Sequence, residues 1–175
     1  MTKFLDCFNY NLNQLQLEAL NEVKKQLKGL DSEELLAIVL RLAKHKKENK
    51  ELLQYLLTYK SQETLYIDAV KAMIDEAFTI IEPNKGAYVF AKQVRKVLRV
   101  VNKHIKFSQL PTTELELLIH FCQQLQAYAF ADKPITAILL IYDRQLIRID
   151  KTLTKLHEDL VFDYRASIEA LALKA

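Results

Sequence analysis

The chain has 175 residues, half of them hydrophobic, with 25 Lys/Arg against 22 Asp/Glu and a net charge of +3. That length suits one domain, residues 1–175, and the apolar share excludes a disordered chain. Two glycines, Gly29 and Gly86, are too few for a Gly-rich phosphate loop, which excludes the P-loop and dinucleotide fingerprints.

Few residues interrupt the chain. Gly29, Gly86, Pro83, Pro111 and Pro134 all fall between stretches of helical spacing, and these residue types break helices. The pattern predicts an all-α fold, with about seven helices in a multihelical bundle or irregular α-α array. The first helix is expected over about Leu12–Lys28, with Leu12, Leu15, Leu20, Val23 and Leu27 as its stripe and Gly29 as a left-handed C-terminal residue. The second starts after Asp31, which has capping-box spacing to Glu34. Its run Leu35–Leu40 is apolar all round, which predicts a central position.

The polar patch His45–Lys50 leads to a third helix at about Lys50–Lys60. It holds no breaker, so a bent continuous helix is an alternative. A fourth helix is expected over Gln62–Ile81, closed by the loop Glu82–Gly86. The fifth runs from about Ala87 to Lys106. Thr113 and Glu116 then have capping-box spacing ahead of a sixth helix, Glu114–Phe130. Asp132-Lys133-Pro134 starts the seventh, which runs to Leu160 or bends onward into Arg165–Leu173. This last helix is expected to be the longest.

Charge is unevenly placed. Residues 41–106 hold fourteen Lys/Arg and seven Asp/Glu, and the segments on either side are net acidic. On the fifth helix Lys92, Arg95, Lys96, Arg99, Lys103 and Lys106 fall within a sector of about 100° at helical pitch. Val94, Val97, Leu98, Val101 and Ile105 lie opposite. Six like charges on one face repel, and no acidic residue occurs between Glu82 and Glu114. Lys44 and Lys47 belong to a second basic group. The face is either neutralised by Asp143, Asp150, Glu158, Asp159 and Asp163 of the same chain, or it receives an anionic partner. An acidic protein is the first expectation and nucleic-acid phosphates the second. The chain has no Trp and mostly Val opposite the cations, which argues against a membrane surface.

The last helix carries Ile135, Leu139, Tyr142, Leu146, Ile149, Leu153, Leu156 and Leu160 in heptad register. Either the whole seam packs on its own chain, or Leu153, Leu156 and Leu160 pair with a second copy as a homodimer.

Signals for chemistry are weak. The residue three before each histidine is never Glu, so the bundle-metal motif is absent. Glu116 and His120 share a face, and His120 reads as a core-edge histidine bonded locally. Cys7 and Cys122 read as idle thiols. No metal or cofactor is expected. The N-terminus lacks a secretory pattern, and the longest apolar runs are far shorter than the roughly 20 residues of a spanning helix. The expectation is a cytoplasmic, non-enzymatic interaction or scaffold domain. An enzyme whose site forms between helices is the remaining alternative.

Overall fold

A computed structural model describes residues 18–82, 85–129 and 135–172. The described residues are helical without strands: α1 (Leu20–Lys28), α2 (Ser32–His45), α3 (Lys47–Gln54) with a π-helical turn (Tyr55–Tyr59), α4 (Glu63–Thr79), α5 (Ala87–Ser108), α6 (Pro111–Ala129), α7 (Thr136–Leu153) and α8 (Glu158–Ala172). They divide into two compact units, with the boundary between Lys50 and Glu51.

In the first unit, α1 begins at Leu20 because Ala19 is extended (φ −62°, ψ 146°). This is later than the expected Leu12, and residues 12–17 lie outside the described residues. Gly29 ends the helix at φ −86°, so the left-handed cap expected there is not used. The Asp31–Glu34 capping box does form. The Glu34 amide donates to Asp31 Oδ1 at 2.8 Å, and the Asp31 amide donates to Glu34 Oε2 at 3.1 Å. Lys46 is extended (φ −140°, ψ 144°) and separates α2 from α3, so the bent continuous helix is excluded. The central position expected for α2 is also overturned. Neither α1 nor α2 has a buried residue, and Leu36, Ile38, Val39, Leu40 and Leu42 are exposed.

The second unit is organised around α6. Leu115, Leu117, Leu118, Ile119, Phe121, Cys122 and Leu125 are all buried, on more than one side of the helix, and α4, α5, α7 and α8 each pack against it. Pro111 takes the first turn of α6, where its missing N–H costs nothing. The helix therefore starts two residues before Thr113, and the second expected capping box does not form. The Thr113 hydroxyl instead donates to Glu63 Oε1 at 2.6 Å. That carboxylate also accepts from Ser108, and its other oxygen accepts from the Tyr55 hydroxyl at 2.9 Å. One half-buried anion thus ties the π-helical turn, α4, the end of α5 and the start of α6.

The last helix is not continuous, and the longest helix among the described residues is α5, with 22 residues. Thr152 and Thr154 turn their hydroxyls back onto the Arg148 and Lys151 carbonyls at 2.9 Å each, bonds that compete with the helical ladder. A new helix starts after His157, whose carbonyl accepts from the Val161 amide at 3.1 Å. Glu158 and Asp159 sit in its first turn, where negative charge is favourable. At the far end, Gln126 donates to the Tyr142 hydroxyl at 2.6 Å and to the Leu171 carbonyl at 2.9 Å, holding α8 to α6 and α7.

Phe121 is fully buried and packs with its ring tilted against that of Phe78, the ring centroids 5.7 Å apart. Phe121→Ala is expected to lower the unfolding free energy by about 3–5 kcal/mol in urea titrations. Leu160→Ala, at an exposed position, is expected to change it by less than about 1 kcal/mol.

Candidate functional site

Helix α5 begins at Gly86, whose φ of 97° is open to glycine at no cost. It ends at Gln109 in the left-handed region (φ 60°), where the Gln109 amide donates to the Ile105 carbonyl at 2.9 Å. Between these caps the helix is two-sided. Phe90, Ala91, Val94, Val97, Val101 and Ile105 are buried. Lys92, Arg95, Lys96, Arg99 and Lys106 are exposed.

The six predicted cations do not behave alike. Lys103 is half-buried and donates to Glu51 Oε2 at 2.7 Å, so it is spent within the unit. The other five make no ion pair among the described residues. Asp143, Asp150, Glu158, Asp159 and Asp163, the chain's own candidate neutralisers, do not reach them. Asp159 instead lies 3.2 Å from His157 Nδ1. The carboxylates nearer the core have other partners. Glu114 takes Arg148 Nε at 2.6 Å and Lys155 at 3.6 Å. Glu116 takes Lys71 and the Tyr164 hydroxyl, the latter at 3.0 Å. Asp75 Oδ1 lies 2.6 Å from His120 Nε2.

The α5 ridge is flanked by two shallow grooves. One is lined by Tyr88, Lys92, Arg95, Leu98, Arg99 and Asn102. Tyr88 is 77% exposed there, an aromatic ring standing beside three cations. Sequence reasoning passed over Tyr88. The signal was present, since it falls within the basic sector one turn before Lys92. The second groove, on the other flank, is apolar, formed by Ala77, Ile80, Ile81, Val97 and Val100 with Lys96 at its edge.

The remaining predicted residues belong to other segments of the chain. Lys44 and Lys47 are exposed in the first unit, at the end of α2 and the start of α3. Leu153 and Leu156 are half-buried against the second unit's own core, and Leu160 is exposed. Cys122 is buried as a free thiol, and burial pushes its pKa up to about 12. Cys7 lies outside the described residues. His120 sits at the core edge but bonds across to α4 rather than along its own helix.

A pocket of about 200 Å³ lies beside α5, lined by Tyr55, Tyr59, Tyr66, Met73, His104 and Phe107 with the Lys103–Glu51 pair. His104 is 8% exposed. Its Nδ1 lies 2.8 Å from the Tyr66 hydroxyl, and its Nε2 has no partner among the described residues. Burial, helped by the neighbouring Lys103 charge, lowers its pKa to about 4. A neutral imidazole with one filled nitrogen adds polarity to the core but stays uncharged near neutral pH.

Among the described residues no three His, Cys, Asp or Glu side chains gather to hold a metal ion, and no helix is long and apolar enough to cross a membrane. No protein-family model matches the chain, no curated protein is similar to it, and no solved structure matches it.

The His104 environment has a measurable consequence. Above the ordinary imidazole value of 6.5 the ring is neutral in both folded and unfolded chains. Between 6.5 and about 4 only the unfolded chain takes up the proton, so acidification through that window removes stability. From pH 7 to pH 4 the wild type is expected to lose about 3 kcal/mol more than His104→Phe in denaturant titrations. Parallel losses in the two proteins would contradict the assignment.

Proposed function

We propose that this protein is a non-enzymatic helical interaction domain, and that the outer face of α5 holds an acidic protein partner. The observation that carries this reading is the absence of any intramolecular ion pair, among the described residues, at Lys92, Arg95, Lys96, Arg99 and Lys106. A solvated helix face with no task gains by interspersing Glu among like charges, and this face has none.

The surroundings support a protein partner. Tyr and Arg are the residue types that anchor protein interfaces, and Tyr88 stands with Arg95 and Arg99 in one groove. The apolar groove on the opposite flank of α5 suits a partner with both carboxylates and aliphatic side chains. Nucleic acid is the second reading. It draws on the same cations, with Tyr88 as the ring on which a base would stack. In either reading the protein works in the cytoplasm.

A labelled polyglutamate peptide and a labelled single-stranded oligonucleotide of matched charge test the proposal at low and moderate salt. The peptide is expected to bind. Arg95→Glu with Arg99→Glu is expected to weaken it about tenfold or more, roughly 1.4 kcal/mol, and Arg165→Glu on α8 to leave it unchanged. Tight oligonucleotide binding with a steep salt slope and no peptide binding would replace the first reading with the second. Failure of both probes at low salt would reject the α5 face as an anion-binding surface.

A further inference from the structure

Helix α2 poses a separate problem, independent of α5. Leu35, Leu36, Ile38, Val39, Leu40 and Leu42 give it an apolar arc of about 200° at helical pitch, wider than the stripe of an ordinary surface helix. No residue of α2 is buried, and Leu36 is 59% exposed.

The charges beside this arc show what fits it. Leu36, Val39, Leu40 and Ala43 share one side of the helix. Glu33 and Lys44 lie along the same flank of that side, about 20° apart in projection and at opposite ends of the helix. Neither makes an ion pair among the described residues. A helix with acid at the start and base at the end of one flank complements itself when turned end over end. In such a pair the same flanks of the two helices meet. Glu33 of each copy then faces Lys44 of the other, and the two-fold axis passes between Ile38 and Val39. In a parallel pair opposite flanks meet, so the Glu33 and Lys44 of the two copies would lie on opposite sides of the interface and gain no cross-pairing.

We infer that the partner of α2 is a second copy of this chain, bound antiparallel through Leu36, Val39, Leu40 and Ala43 with two reciprocal Glu33–Lys44 ion pairs. The arrangement is isologous and closed, so it ends at a dimer and does not propagate. Each dimer would carry two α5 faces.

Sedimentation equilibrium on the full chain tests this. The wild type is expected to be a dimer. Glu33→Lys alone and Lys44→Glu alone are each expected to raise the dissociation constant roughly tenfold, since each replaces two attractions by two repulsions. Combining the two substitutions is expected to restore the wild-type value, because the reversed charges again face opposites. These are surface positions, so circular dichroism should show unchanged helicity. Leu36→Glu is expected to give a monomer. A monomeric wild type would overturn the inference and assign the apolar face to the chain itself or to a different protein. So would a dimer whose dissociation constant ignores the single charge reversals, or one that the double reversal fails to rescue.

Discussion

Helix α6 has apolar side chains on more than one side, and the second unit follows from the need to cover them. Four helices pack against it, and each turns its own apolar stripe inward. For α5 this leaves one orientation. Val94 and Val101 are fully buried, so the residues half a turn away must face out. Turning the helix over would bury five cations, each at a cost of several kcal/mol without a paired anion. The outward ridge is therefore a consequence of core packing. The fold does not need those residues to be Lys and Arg, which is why their identity calls for an explanation outside the fold.

Polar groups within the unit are allocated closely. Glu63 gathers three hydroxyls, from Tyr55, Ser108 and Thr113. Gln126 and Tyr142 close the end of α8 onto its last-turn carbonyl at Leu171. Arg148 donates to Glu114 and to Asn102, reaching from α7 to both α6 and α5. Carboxylates on the core-facing sides of the helices are consumed by such contacts. Those left in solvent on α7 and α8 lie beyond reach of α5. Among the described residues, Glu51 on α3 pairs with Lys103, which joins the start of the second unit to α5 and removes a single charge from the ridge.

Local patterns in the chain were readable where they depend on neighbours in sequence. The Asp31–Glu34 box, the two-sided character of α5 and the breaks at Gly86 and Pro111 all belong to that class. What failed depended on distant residues. Periodicity reports which side chains share a face, but it does not say whether a second element arrives to cover that face. The run Leu35–Leu40 reads as a core helix and is exposed. Thr113 and Glu116 have the spacing of a cap, yet their side chains bond to Glu63, Lys71 and Tyr164, none of them within the same helix. Unbroken heptads in the last segment concealed a turn at Thr154–His157, because threonine back-bonding leaves no trace in hydrophobic spacing. The cation ridge was legible as a set of residues, and its lack of internal partners was not.

That lack of partners can be observed without knowing any ligand. Amide protons of the full chain can be titrated with a pair of paramagnetic probes alike in size, one anionic and one cationic, at low salt. The anionic probe is expected to broaden the amides of Tyr88 to Lys106 on the outer side of α5 far more than the cationic one does, with the opposite preference around Glu158, Asp159 and Asp163. Equal broadening of α5 by both probes would mean that its charges are already neutralised, and the ridge would then not be an unpaired anion-binding face.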